Sequence, residues 1–510
     1  MLFRPAERRY AELAARLARA NPFLPERIEL ERAFLGKRFD SRGADWNQSG
    51  RYQIDHPNVR AVTEICRELL ATLCARMDAG ERPSDAEQIQ YRDLAFYYLY
   101  QKHKQVFDAG IQAALEGRGK VDERELWQSF LESAEPLLVG VVDAYDEEQL
   151  AHLFACYFQI RRAFHHALGA IVGSSRPTTR LRADAWHSVF THDLDRYFRV
   201  LWSKMADYST LITGPTGSGK ELVARVVGLS RYIPFDRKRQ RFTEDFAGSF
   251  VPINLSALSP TLIESELFGH ARGAFTGAAD ARVGWLERCP PLGSVFLDEI
   301  GELDPAIQVK LLRVIEARSF SRLGETKERR FEGKLIAATH RDLAQEMQAG
   351  RFRPDLYYRL CSDIVTTPSL AERIRDRREE RGELIDFLVT RLLGERDDSV
   401  AREVETWIVG ELGDDYAWPG NVRELDQCVR NFVVRRAYTP PAQESAGPAD
   451  QLARDLSSAE LTTDELLNRY CQLAVERHGS YSAAARKIGL DRRTVRVRAA
   501  EADKGSGGRG

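Results

Sequence analysis

A single stretch of seven residues constrains this chain more than any other. Gly214-Pro215-Thr216-Gly217-Ser218-Gly219-Lys220 follows the apolar run Thr210-Leu211-Ile212 and opens a helical stretch, Glu221-Leu222-Val223-Ala224-Arg225. Strand, glycine-rich loop and helix in that order let backbone N–H groups turn inward around phosphates, with Lys220 as a point charge at the β/γ-phosphates. Glu221 stands where a hydroxyl normally follows the lysine, so the ordinary hydroxyl ligand to Mg²⁺ is absent. About 80 residues later comes Ser294-Val295-Phe296-Leu297-Asp298-Glu299, a buried strand that ends in two carboxylates. Asp298 is placed to hold Mg²⁺, directly or through water, and Glu299 to orient and deprotonate an attacking water. Loop and acidic pair together read as a nucleotide-hydrolysis site with ATP and Mg²⁺ as its ligands. Such a site needs a parallel α/β sheet.

The rest of the 510 residues organise around that sheet. At about 150 residues per domain, the length suggests about three domains. Residues 1–185 read as helical, because Arg8 to Ala20, Val59 to Met77 and Glu147 to Val172 repeat apolar residues at helical spacing. Strand-like alternation is scarce there, which disfavours an α/β receiver. Ser174 to Thr179 reads as a loop and boundary. Residues 186–370 alternate short apolar runs with helical stretches and form the α/β core; 371–438 are helical again. Residues 439–460 read as a linker rich in Pro, Ala and Ser, 461–504 as a small helical unit and 505–510 as a flexible tail. No apolar run reaches the ~18 residues of a membrane span, and the charged start does not resemble a signal peptide. Seven scattered cysteines without a Cys-x-x-Cys pair fit a reducing cytoplasm.

Between the loop and the acidic pair lies Glu264-Ser265-Glu266-Leu267-Phe268-Gly269-His270-Ala271-Arg272-Gly273-Ala274-Phe275-Thr276-Gly277-Ala278. Here the sequence resembles the AAA+ activators of sigma-54 RNA polymerase, the bacterial enhancer-binding proteins. Residues 273–278 read as that family's GAFTGA loop, and the resemblance spans roughly 205 to 436. It implies a fold of several domains: a helical N-terminal domain, an AAA+ α/β P-loop domain with a helical lid, and a C-terminal helix-turn-helix. It also implies that Gly273, Ala274, Phe275, Thr276, Gly277 and Ala278 engage sigma-54. Phe250-Val251-Pro252-Ile253-Asn254 resembles the strand whose asparagine restrains the catalytic glutamate, so Asn254 would hold Glu299. Thr339 and His340 match the sensor I position. Gly350 to Leu360 resembles the arginine-finger segment, with Arg353 and Arg359 in its two trans-acting positions. Fingers supplied by a neighbour imply a ring, a hexamer in this family. Trp418-Pro419-Gly420-Asn421-Val422-Arg423 resembles the lid motif, which puts Arg423 on the nucleotide of its own subunit. Departures from the pattern are Pro215 in place of the usual Glu, a lengthened Arg231–Gly248 connection, and a loose version of the segment after Leu370.

The C-terminal unit reads as a helix from Thr463 to Arg477, then helix, turn and a second short helix. This resembles the Fis-type helix-turn-helix. The whole chain carries a net charge of -2, yet residues 479–504 hold seven basic and three acidic side chains, a net +4. A local basic patch in an otherwise neutral chain suits DNA phosphates, and Arg486, Lys487, Arg492, Arg493, Thr494 and Arg496 are the candidate contacts.

The N-terminal region allows two readings. Tyr91, Phe96, Tyr97, Tyr98, Tyr100 and His103 cluster on one helix; His152, Phe154, Cys156, Tyr157, Phe158, Phe164, His165 and His166 cluster on another. Either they wall a pocket for a ligand, or they form an aromatic core with satisfied histidines, the reading that composition favours. An unknown ligand or protein partner at this domain is the corresponding expectation.

The expected whole is a cytoplasmic, ATP-hydrolysing hexamer. It would bind double-stranded DNA at an upstream enhancer site and remodel the sigma-54 RNA polymerase for open-complex formation. Rival readings are a general AAA+ remodelling ATPase, or a DNA-binding regulator whose ATPase only gates oligomerisation.

Overall fold

The structure, a computed structural model, describes residues 1–42, 56–115, 122–141, 145–246, 248–276, 278–440, 452, 455–456 and 461–505. The chain falls into two compact units, residues 1–434 and 435–510.

Among the described residues, the first unit begins with the helices α1 (Pro5–Arg19), α2 (Pro25–Leu35), α3 (Pro57–Asp78), α4 (Asp85–Leu115), α5 (Glu123–Leu138), α6 (Glu147–Ala170), α7 (Arg176–Phe190) and α8 (Leu194–Arg199). Local chemistry sets their ends. Asp146 and Gln149 form a capping box at the start of α6, and His56 caps α3 ahead of Pro57. Ser174 to Thr179 is not the loop that its composition suggests. Ser175 caps α7, its Oγ accepting from Thr178 N–H, and Pro177 sits in the first turn, where its missing N–H costs nothing.

The α/β part follows, with β1 (Thr210–Thr213), α9 (Lys220–Leu229), β2 (Phe235–Asp236), β3 (Arg241–Phe242), β4 (Phe250–Asn254), α10 (Pro260–Phe268), β5 (Gly269–His270), β6 (Arg282–Val283), α11 (Trp285–Arg288), β7 (Ser294–Asp298), α12 (Pro305–Ala317), β8 (Ser319–Ser321), β9 (Glu328–Arg330), β10 (Lys334–Thr339), α13 (Leu343–Gln348), α14 (Pro354–Leu360) and β11 (Asp363–Thr366). The main sheet runs β11-β1-β10-β7-β4, and every pairing is parallel. Its central strands are buried on both faces, which explains why β7 and β10 read as unbroken apolar runs. Period-2 alternation divides them: Phe296, Ile336 and Ala338 pack toward α9 and the N-terminal helices, while Val295, Leu297, Leu335 and Ala337 pack on the other side. The helical lid comprises α15 (Leu370–Asp376), α16 (Glu379–Leu393), α17 (Asp398–Glu411) and α18 (Asn421–Arg435).

The N-terminal helices and the α/β part share one apolar core. Helix α6 packs along α9, and α7 packs against β11, α9 and α15. The lengthened connection after Arg231 is the small hairpin β2–β3, and its aromatic residues face inward. Phe235 lies 5.1 Å from Trp127 and 4.8 Å from Phe154, and Phe242 lies 4.6 Å from Phe158. Each such ring contributes roughly 1.5–3 kcal/mol by burial. The insertion fastens the helical region to the α/β part.

The second unit contains α19 (Thr463–His478), α20 (Tyr481–Ile488) and α21 (Arg492–Gly505) around a small core of Cys471, Ala474, Ala484, Ala485, Val495 and Ala499. Gly479 and Gly489 end α19 and α20 in the left-handed conformation, and Ser480 caps α20. Helix, tight turn and helix stand where the sequence places them. No described helix is long and apolar enough to cross a membrane.

Candidate functional site

The phosphate loop lies at the C-terminal end of β1, the usual ligand side of a parallel sheet. Gly214, Gly217 and Gly219 have φ values of +138°, +75° and +98°, a region that side chains disfavour. Space also demands glycine. A Cβ on Gly217 would meet the Gly420 carbonyl oxygen at 2.2 Å, and one on Gly214 the Thr367 hydroxyl at 2.1 Å. The lid turn therefore rests directly on the loop, where Asn421 Nδ2 donates to Thr216 O at 2.9 Å and Arg423 N–H to Gly217 O at 3.3 Å.

Lys220 Nζ donates to the loop carbonyls of Gly214 and Pro215 at 3.0 and 3.1 Å. Burial lowers its pKa, against the pull of Glu299 and Asp298. Asp298 ends β7 with its pKa raised, first by burial and then by the neighbouring Glu299. Glu299 sits in the left-handed region at φ 59°, ψ 51°, a conformation that costs roughly 1–2 kcal/mol for a residue with a Cβ. Strain at a carboxylate that faces a phosphate loop suits a held, preorganised group.

Asn254 stands beside Asp298 in the β4–β7 register, but its carboxamide oxygen accepts from Ser256 N–H and Oγ at 3.0 and 2.7 Å. Glu299 instead bonds His340: Oε2 lies 2.7 Å from Nδ1 and accepts from the His340 N–H at 3.3 Å. His340 thus joins the end of β10 to the acidic pair, while Thr339 is buried and caps the Arg341 N–H.

A cavity of about 300 Å³ lies over the loop. Thr216 to Val223, Asp298, Glu299 and Arg423 line it, as do residues that the motifs did not mark: Ala170, Ile171, Val172, Leu181 and Arg373. Part of the wall therefore comes from the end of α6, the segment after it and α7. Buried Glu380 at the start of α16 ties that wall to the lid; its carboxylate accepts from Ser174 N–H at 2.9 Å, Thr178 Oγ1 and Arg373 Nε at 2.5 Å, and the Ser175 N–H. The available signal was Ile171-Val172 ahead of a serine cap and proline, a helix start beside an apolar pair.

The remaining candidates sit elsewhere. Arg353 stands at the N-cap position of α14 and pairs with Asp355 at 2.7 Å; Arg359 pairs with Glu316 at 2.9 Å. Both are exposed, at 43% and 60%, and neither lines the cavity of its own chain. Residues 273–276 and 278 form the tip of the β5–β6 hairpin, closed by Gly273 N–H donating to Ala278 O at 2.8 Å. Phe275 is 42% exposed, its ring edge-on to His270 at 5.0 Å, and Thr276 is exposed beside it; Gly277 lies outside the described residues. In the second unit, Arg486, Lys487, Arg492, Arg493, Thr494 and Arg496 are all exposed, whereas Arg498 turns back to Asp464 at 2.7 Å.

Comparison with known proteins bears on the middle of the chain. Residues 194–365 match the Sigma-54 interaction domain. This part of the chain is similar to the sigma-54-dependent activators. Transcriptional regulatory protein ZraR of Klebsiella oxytoca is 39% identical over 298 residues, covering 57% of this chain and 62% of ZraR. Nitrogen fixation protein AnfA of Azotobacter vinelandii is 35% identical, over 57% of this chain and 52% of AnfA. Hydrogenase transcriptional regulatory protein HoxA of Bradyrhizobium diazoefficiens is 40% identical over 49% of this chain and 47% of HoxA. The chain thus spans between about half and 62% of these relatives. Among solved structures, NtrX from Brucella abortus aligns over 74% of this chain and 80% of its own, at 23% identity and a TM-score of 0.38.

Proposed function

We propose that this protein is a DNA-bound, ATP-hydrolysing transcription activator that works as a hexameric ring on sigma-54 RNA polymerase. One observation carries the reading: the exposed Phe275-Thr276 tip belongs to the same α/β unit as a glycine-built phosphate loop and a strained, histidine-held glutamate. A general remodelling ATPase would not need that tip.

ATP would lie over Gly214 to Lys220, with Arg423 above it from the lid. Lys220 then exchanges its bonds to loop carbonyls for bonds to phosphate. The donor set also fits Mg²⁺. Among the described residues no group of three or more His, Cys, Asp or Glu side chains forms a cage, but Mg²⁺ is commonly held by one or two carboxylates plus substrate phosphates, as Asp298 offers. When bound, the ion would neutralise charge on the phosphates. Glu299 orients and deprotonates the water once it is released from His340, and Asn254 is one strand away to take over that carboxylate. Arg353 and Arg359, exposed and outside the cavity of their own chain, fit fingers presented to a neighbour. Such a group is worth roughly 10³–10⁵ in rate in related enzymes. The exposed basic face of α20 and α21 fits the phosphates and the groove of an upstream DNA site.

Thr276→Ala tests the reading. Transcription from a sigma-54 promoter should be lost while ATP hydrolysis and DNA binding persist. Retained activation would refute it.

A further inference from the structure

The helical region holds a second cavity, remote from the nucleotide site. It encloses about 120 Å³ between α1, α2, α4, α6 and α7. Tyr97, Tyr100, Tyr157, Phe164 and Trp186 supply aromatic walls. An apolar cavity of about 150 Å³ takes up benzene, so this volume suits one ring.

Its charged groups are almost all matched. Arg19 bridges Asp93 and Asp195 at one side, Arg161 bonds Asp108 at 2.8 Å, and Lys104 is engaged. A charged guest would have to break one of these pairs, so a neutral guest is favoured. Glu31 is the exception. It is 2% exposed, and Oε1 accepts from Arg27 at 2.6 Å, but Oε2 is buried without a hydrogen-bond partner among the described residues. A buried carboxylate oxygen left unpaired costs on the order of 1–3 kcal/mol or more, and a donor from a guest would recover that.

We propose that this cavity is a binding site for a neutral, single-ring aromatic molecule that carries one hydrogen-bond donor, with the donor on Glu31 Oε2 and the ring among the tyrosines. The site also borders the ATPase core. Tyr157, Ile160, Arg161 and Phe164 form one stripe of α6 on the cavity. From the same helix, Gln159 Nε2 donates to Ser230 O at 2.9 Å and Arg162 Nη1 to Leu229 O at 3.0 Å, gripping the last turn of the phosphate-loop helix α9. A guest that shifts α6 shifts the helix whose first residue is Lys220.

Calorimetric titration of the full chain without nucleotide tests the site independently of any ATPase or transcription readout. Aniline, uncharged at neutral pH, is the probe; toluene is the same ring without the donor, and benzoate is an anion of similar size. Aniline should bind roughly tenfold more tightly than toluene, the worth of one hydrogen bond, and benzoate should not compete. Glu31→Gln, which keeps the volume, should abolish the preference for aniline. Ala18→Phe, which fills the cavity, should abolish binding of both rings. Where Ala18→Phe strains the packing, Glu31→Gln still decides. No aniline binding at millimolar concentration, equal affinity for aniline and toluene, or binding unchanged by both substitutions would overturn the proposal.

Discussion

The two ends of α9 are held in different ways. At its N-terminus, glycines with positive φ let backbone and lid approach within distances that no side chain would permit. At its C-terminus, ordinary residues do the holding: the carbonyls of Leu229, Ser230 and Arg231 accept from Gln159 and the fully buried Arg162 of α6. A cation at a helix C-terminus also meets the negative end of the dipole. One end carries the glycine loop; the other ties that loop to the helical region. Chemistry at the first end needs particular residue types at fixed spacing. Coupling at the second needs only a long donor on the right face of a helix.

Substitutions at the two ends should therefore separate activity from cohesion. The largest effect belongs to the phosphate end. Glu299→Gln should lower ATP turnover by roughly 10²–10⁴, the usual worth of a positioned general base, while nucleotide binding survives. Steady-state hydrolysis beside equilibrium nucleotide binding checks this, and near-wild-type turnover would remove Glu299 from its role. At the other end, Arg162→Met keeps much of the volume but strips a donor from two buried carbonyls. The expected cost is about 2–4 kcal/mol of stability, read as a lowered denaturant midpoint. A midpoint within error of the wild type would mean that the α6–α9 contact is incidental.

A smaller effect distinguishes the helical region by pH. Burial pushes His103 down to about 4 and His166 down to about 3, both below the ~6.5 of an exposed imidazole. Both stay neutral when folded and charge when unfolded, so the unfolded chain binds more protons in mild acid. The stability they favour is complete above about pH 6.5 and is lost as the pH falls from there through about 4 and then about 3, on the order of 1–3 kcal/mol. Hydrogen exchange of α4 and α6 should rise over that window ahead of the central sheet. Simultaneous loosening of β7 and β10 would contradict the assignment to these histidines.

The same contrast explains what the sequence revealed. The loop from Gly214 to Lys220, the Asp298-Glu299 pair and the helix-turn-helix were legible because backbone geometry or phosphate chemistry restricts which residues can stand there. The partner of Glu299 was not, because a carboxylate at a strand end accepts from whichever donor the next strand offers, and β10 offers His340. Ser174 to Thr179 has the composition of a loop, yet serine and proline are also what a helix start requires. Phe235, Phe242 and Phe246 sit in a connection rich in Lys and Arg, where charge hid three rings that pack into the helical core. The two readings of the aromatic clusters on α4 and α6 each describe a part. His152 bonds Tyr232 and the Phe198 carbonyl at 2.7 and 2.8 Å as a satisfied core histidine, while Tyr97, Tyr100, Tyr157 and Phe164 wall a cavity.

The helical region and the phosphate loop are joined through α9. Hydrogen exchange measured by mass spectrometry, with and without a non-hydrolysable ATP analogue and Mg²⁺, tests it most directly. Protection is predicted at residues 214–220 and also along 157–164 of α6, where the grip on Leu229 to Arg231 would carry it. Protection confined to the phosphate loop and the lid, with α6 unchanged, would contradict the claim.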